Sequence, residues 1–423
     1  MPNKFLKNPP MGWNSYDYYD TTVTEEDIKK NADYMAKNLK KYGWEYVVID
    51  IEWYGYGTGT QRDKYQYIPF GKVEVDEYSR LLPCPERFPS SVGGKGFKPL
   101  SDYIHSLGLK FGIHIMRGIP RICAHTHGKI LGTNKTANEI CDIYNICAWN
   151  PDMYGICPDR EGAKEYYNSI CKLYAEWGVD LIKCDDICRM DEKTAKDEIV
   201  LLSEGIKNSG RDMVLSLSPG PAIIEEAEHY HKYANMWRIT DDMWDKWEHI
   251  VYMFDRCDVW QNQVKSGGYP DCDMLPLGKV GKGFKNERDT RLTKDEQITL
   301  MTLWCIFRSP LMIGAELTLL DDFTLSLLTN EDVLGLLTHS AYAKQIERDD
   351  SHAVWASKDT KDGSWYLAVF NLDSDDNAVT IPWGKLKNFG TPNCDCIELW
   401  SKEKTVLKDI VLVKSHGAKL YKI

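Results

Sequence analysis

Between residues 44 and 273 the chain repeats one pattern: a short, nearly continuous apolar run, then a longer stretch with apolar residues every three or four positions. The runs are WEYVVIDIEW, KFGIHIM, VDLIKCDDI, MVLSLSP and MWRITDD. Apolar runs without polar alternation suit strands covered on both faces, the condition of a parallel sheet flanked by helices. GAKEYYNSICKLYAEWG and KDEIVLLSEGIKNSG lie between them and are long enough to return the chain for another parallel strand. The first helix carries its own punctuation. Thr24 is placed to cap it, Asp27 follows three residues on, Ile28, Ala32, Met35 and Leu39 share a face, and Gly43 stops it. WCIFRSPLMIG is read as the last strand. Together these predict an α/β chain with a (β/α)8 TIM barrel over residues 1–340.

From about residue 341 the pattern changes. HAVWASK, SWYLAVFNL, NAVTIPW, CIELW and KDIVLVKSHGAKLYKI are short strand-like runs divided by Gly, Asp, Asn and Pro. Residues 341–423 are therefore predicted to form a small antiparallel β-sandwich domain.

Composition narrows the partners. Of 423 residues 43% are hydrophobic and 27% charged, enough to bury a large core. A net charge of -11 argues against nucleic acid and anionic membrane surfaces, whose binding draws on clustered Lys and Arg. The opening MPNKFLKNPPMGW lacks the apolar run of a secretory signal, and no stretch reaches the roughly 18 apolar residues of a membrane span. A cytoplasmic location is expected. The 13 cysteines are odd in number and irregularly spaced, which fits buried reduced thiols. A homo-oligomer stays compatible with the sequence, which does not fix the oligomeric state.

Nearly every apolar run ends in carboxylates, a cation or hydroxyls, at the barrel end where active sites of this fold assemble. Strand alternation puts Asp50 with Glu52, Lys183 with Asp185, Ser216 with Ser218, and Arg238 with Thr240 and Asp242 on shared faces. Two carboxylates on separate strands facing one pocket suit glycoside hydrolysis, one attacking the anomeric carbon and the other protonating the departing oxygen. A nearby cation keeps the attacker ionised. Any one of Asp185, Asp186, Asp241 and Asp242 could instead cap the helix that follows it. Caps do not require Lys two residues before Asp185 or Arg four residues before Asp242.

At these residues the chain resembles glycoside hydrolase family 27, the α-galactosidases and α-N-acetylgalactosaminidases, over essentially its whole length. Six motifs carry the resemblance in order: PPMGWNS, YVVIDIEW, FGI, KCDD, WRITDDMW and YPDCDML. The resemblance implies a retaining exo-glycosidase acting on terminal α-galactosyl or closely similar units of an oligosaccharide or glycoside. It makes Asp185 the nucleophile and Asp242, rather than Asp241, the acid/base. It gives Asp50, Lys183, Arg238 and Asp273 the sugar hydroxyls and places Tyr16 and His114 on the pocket wall. It implies no metal and no organic cofactor. A barrel that binds sugar without catalysis is the rival, and retention of both carboxylates argues against it.

Four departures shape the expected specificity. Ile51 replaces a second sugar-binding Asp, with Glu52 as the candidate substitute. SLSPGPA puts Ser218 and Pro221 where small residues would admit a 2-acetamido group, as in the N-acetylgalactosaminidases. Ile187 replaces a disulfide-bonded cysteine. The segment 117–159, rich in Cys and His, is expected to rim the pocket and select the substrate. β-L-Arabinopyranoside, which is galactose without its hydroxymethyl group, is a further candidate, since Ile51 suits a lost polar contact.

Trp53, beside the carboxylates of the second strand, fits either a sugar platform or the core. Trp149, Trp237 and Trp244 read as packing. Cys123, His125 and His127 lack a second ligand pair at zinc spacing and read as structural or surface residues.

Overall fold

The computed structural model describes residues 5–59, 71–189, 193–386 and 391–423. The first four residues of MPNKFLKNPPMGW lie outside that set. Eight strands form one parallel sheet: β1 Met11–Asn14, β2 Tyr46–Ile49, β3 Lys110–Met116, β4 Leu181–Asp185, β5 Val214–Leu217, β6 Met236–Arg238, β7 Tyr269–Asp271 and β8 Leu311–Ile313. Their order is β7-β6-β5-β4-β3-β2-β1-β8. Just past β7, Leu275 pairs with Ile313 and joins the two edges. Its N–H donates to Met312 O at 2.7 Å, and Gly314 N–H donates to Leu275 O at 3.0 Å. The result is a barrel with crossover helices on its outside, among them Glu25–Asn38, Ala163–Trp177, Lys193–Ser209, Trp247–Trp260 and Lys294–Phe307. Thr24 and Asp27 form the expected capping box, and Gly43 is left-handed at the stop.

Strand alternation divides each strand between two environments. Trp13, Val47, Ile49, Ile182, Cys184, Leu215, Leu217 and Trp237 face the helices. Tyr46, Val48, Leu181, Val214, Met236, Tyr269 and Met312 fill the barrel interior. Following the inward positions toward the strand ends, Val48 leads to Asp50, Leu181 to Lys183 and Asp185, Val214 to Ser216 and Ser218, and Met236 to Arg238. An apolar floor thus carries a polar mouth.

WCIFRSPLMIG differs from expectation. WCIF belongs to the helix Lys294–Phe307, and only Leu311–Ile313 is strand. That helix is buried on nearly every side, so its sequence shows no polar stripe to distinguish it from a strand. Left-handed Arg308 and Pro310 then end the helix before β8.

Between β3 and the helix Ala163–Trp177 the chain makes an excursion, in which Ile119–Pro120, Cys141–Ile146 and Met153–Ile156 form a small antiparallel sheet. The C-terminal strands begin at Ser340. They are β9 Ser340–Arg348, β10 His352–Asp359, β11 Trp365–Asn371, β12 Asn377–Thr380, β13 Cys394–Glu398, β14 Glu403–Leu407, β15 Ile410–Val413 and β16 Ala418–Lys422. A six-stranded sheet and the β12–β15 pair enclose an apolar layer that includes Val354, Leu367, Val379 and Val411.

Candidate active site

β4 delivers Lys183 and Asp185 to the barrel mouth on one face, with Cys184 turned into the surrounding core. Lys183 Nζ donates to Asp50 Oδ2 at 2.8 Å, and Asn14 Nδ2 donates to the same oxygen at 2.7 Å. Asp185 Oδ2 lies 2.8 Å from His114 Nε2, and the Ser218 hydroxyl donates to Asp185 Oδ1. Burial pushes the Asp185 carboxyl up, but Lys183, His114 and these hydrogen bonds outweigh it and hold the group well below the usual carboxylate range. Asp50 is lowered for a similar reason, Lys183 and His114 together overcoming burial. Burial opposes the charge on Lys183, and the two carboxylates raise its pKa nonetheless.

The neighbouring acid is used differently. Asp186 has φ 61°, and its carboxylate accepts from Arg117 Nη2 at 2.9 Å. Arg117 also donates to Asp186 O at 2.6 Å, Asn145 Oδ1 at 2.8 Å and the buried Glu198 at 2.9 Å, while its N–H meets Asp185 O at 2.9 Å. Asp186 thus belongs to the scaffold behind the mouth.

β6 supplies Arg238, almost wholly buried, which binds Asp273 Oδ1 at 2.6 Å and Asp242 Oδ1 at 3.2 Å. Asp273 Oδ2 accepts from Met243 N–H at 2.7 Å. Burial, reinforced by Asp242 and Asp271 and opposed by Arg238, pushes Asp273 up to about 7. The Asp242 side chain is 56% exposed, so solvent reaches it as it does not reach Asp185. Asp241 is more exposed still and pairs with Arg189 at 2.8 Å.

A cavity of about 350 Å³ is lined by Tyr16, Asp50, Lys183, Asp185 and Asp242 from the expected set, together with Ile51, Trp149, Arg189, Pro219, Asp241 and Met274. That volume falls in the range of small-ligand sites. Arg238, Asp273 and Ser218 line the narrower space beneath it. His114 and Ser218 are fully buried and touch Asp185, so they hold that carboxylate from behind.

Two expected contacts are corrected. Glu52 does not share a face with Asp50: β2 ends at Ile49, Glu52 has φ 61°, and the left-handed turn breaks the alternation. Its carboxyl hydrogen-bonds Asp152, and burial together with Asp152 raises it well above the usual range. Trp53 is fully buried against Phe97 and Trp177 and donates to His114 O at 2.6 Å, so its ring face is not available to a sugar. Trp237 stacks on Tyr230 as a packing residue. Trp149, which read as packing, reaches the cavity. Arg189 and the buried Asp17, whose Oδ2 has no hydrogen-bond partner among the described residues, were not singled out from sequence. Burial, then the Asp273 charge, raises Asp17. Cys123 is buried while His125 and His127 are exposed, and no metal-binding cluster occurs among the described residues.

Comparison with known proteins adds the lineage. A family profile described as Alpha galactosidase A matches residues 148–338, and one described as Alpha galactosidase C-terminal beta sandwich domain matches residues 349–423. Alpha-galactosidase 2 of Arabidopsis thaliana is 26% identical over 427 residues, covering 100% of this chain and 90% of the relative. The crystal structure of a GH27 β-L-arabinopyranosidase from Geobacillus stearothermophilus is 49% identical with a TM-score of 0.93, covering 98% of this chain and 96% of that one. A putative α-N-acetylgalactosaminidase from Bacillus halodurans C-125 is 44% identical with a TM-score of 0.87, covering 100% and 99%. Fold, domain profiles and near-complete coverage at 49% identity place this chain in glycoside hydrolase family 27, and it is a glycoside hydrolase.

Proposed function

We propose that the chain removes terminal α-galactosyl or closely similar pyranosyl units with retention of configuration. Asp185 attacks the anomeric carbon as the bond to the leaving oxygen breaks, giving a glycosyl ester, while Asp242 passes its proton to that oxygen. Water then attacks the anomeric carbon, Asp242 takes the water's proton, and the bond from that carbon to Asp185 breaks to release the carboxylate. The observation that carries this reading is the contrast between two acids on one cavity. Asp185 is buried and held ionised by Lys183, His114 and Ser218, whereas Asp242 reaches solvent. Asp50, Lys183, Arg238 and Asp273 are assigned to sugar hydroxyls, with Tyr16 on the wall.

A second observation bears on the sugar. Ile51, buried and apolar, lines the cavity beside Asp50, which favours a β-L-arabinopyranosyl unit lacking the hydroxymethyl group. The relative at 49% identity, named a β-L-arabinopyranosidase, supports the same choice. The hydroxyl of Ser218 is engaged by Asp185, which weakens its case as a contact to a 2-acetamido group. Thirteen free thiols support action in a reducing cytoplasm.

The test is proton NMR of the first product from p-nitrophenyl β-L-arabinopyranoside and p-nitrophenyl α-D-galactopyranoside. The released sugar is expected in the substrate's anomeric configuration, with higher kcat/KM on the arabinopyranoside. Release of the inverted anomer would overturn the double displacement.

A further inference from the structure

The cavity has two unlike ends. At one, Asp50, Ile51 and Asp185 are buried; at the other, Trp149 is half-buried and Arg189, Asp241 and Asp242 reach solvent. Trp149 comes from the excursion between β3 and the helix Ala163–Trp177, so a segment outside the barrel framework supplies part of the wall. The excursion is tied to the nucleophile strand, since Arg117 bridges Asn145 to Asp186 and to the backbone of Asp185. Arg189 is fixed as well, donating from Nε to Gly220 O at 2.5 Å while its Nη2 meets Asp241 at 2.8 Å.

A group that protonates a leaving oxygen has to stand within hydrogen-bond reach of it. On the mechanism proposed above, on which this inference rests, the leaving group therefore lies at the Asp242 end. We infer that Trp149, Arg189 and Asp241 form the binding site for the leaving group, and that it is built for a sugar. An indole offers a flat apolar surface to the C–H face of a pyranose. A guanidinium paired with a carboxylate offers donors and acceptors to the ring's hydroxyls. An alkyl or aryl leaving group would use the indole and leave the ion pair's hydrogen-bonding capacity idle.

The experiment compares three substrates bearing the same terminal β-L-arabinopyranosyl unit: the glycosyl fluoride, whose leaving group is one atom, the p-nitrophenyl glycoside, and a disaccharide with a hexose as leaving group. Trp149→Ala is expected to lower kcat/KM on the disaccharide about tenfold more than on the fluoride. Arg189→Met is expected to lower disaccharide turnover more than p-nitrophenyl glycoside turnover, and Trp149→Phe to recover part of the Trp149→Ala loss. Equal losses on all three substrates would overturn the inference, as would no loss on any. A selective loss on the p-nitrophenyl glycoside would overturn the assignment to a sugar. If the wild-type protein turns over none of the three and no p-nitrophenyl α-D-galactopyranoside either, the proposed function itself fails. If it turns over the fluoride with retention and the ratios stay flat, only the leaving-group site fails.

Discussion

Lys183 stands between two carboxylates and is the largest influence favouring the charge on each. Without it, His114 and Ser218 would remain to oppose burial at Asp185. Lys183→Met is therefore expected to move the acid limb of the kcat/KM profile upward by about one to three pH units. The sign follows because the ionised form of Asp185 is the reactive one and its pKa rises when the cation is removed. Rate measurements across pH check this, and an unmoved limb would free Asp185 from Lys183's control. For Asp242→Asn, turnover of glycosides with poor leaving groups is expected to fall at least about 100-fold, with much smaller losses for p-nitrophenyl glycosides, which scarcely need protonation. Equal losses on both would remove Asp242 from the acid/base role. Lys183 and Asp185 were legible in the sequence because two residues apart on a strand means one face. Glu52 was misread by the same rule, which stops holding at a left-handed residue, and no sequence pattern announced that turn. Trp53 stayed open between core and pocket because an indole beside carboxylates reads alike in both. Only packing against Phe97 and Trp177 separates the two.

At the scale of elements, one side chain makes several of the ties between the excursion and the barrel. Arg117, buried behind the mouth, answers both Asp186 and the fully buried Glu198, which also accepts from the Tyr167 hydroxyl. Removing one partner of such a group leaves charge uncompensated in the interior. Arg117→Met is expected to destabilise the fold by about 3–5 kcal/mol, read by urea unfolding. Arg117→Lys should restore little, since a single ammonium cannot replace the planar fork that meets Asp186, Asn145 and Glu198 together. A loss below about 1 kcal/mol would show that solvent relieves those acids. The parallel strands and their crossovers were legible because period and length agreed. The excursion's small sheet was not: Cys141–Ile146 alternates poorly between buried and exposed positions, and its strands pair over few residues.

Across the whole molecule the C-terminal sandwich rests on the helices that follow β6 and β7, the strands that bring Arg238 and Asp273 to the site. Phe370 meets Phe254 at 4.9 Å, His416 stacks on Trp247 at 4.0 Å, and Trp400 Nε1 donates to Thr302 Oγ1 at 2.9 Å. Phe370→Ala is expected to cost about 3–5 kcal/mol and to lower a single calorimetric transition shared by both domains. Two separate transitions would show that they unfold independently. The barrel's own joints are unequal: β3 and β4 pair along five residues, from Gly112–Leu181 to Met116–Asp185, whereas the ring closes on the Leu275–Ile313 bridge, two residues beyond Asp273. The amides of Leu275 and Gly314 are therefore the clasp of the cylinder. Their deuterium uptake should be the fastest of the inner ring in the free protein and should slow when a sugar engages Asp273, so occupancy of the mouth is readable as a tightening of the seam.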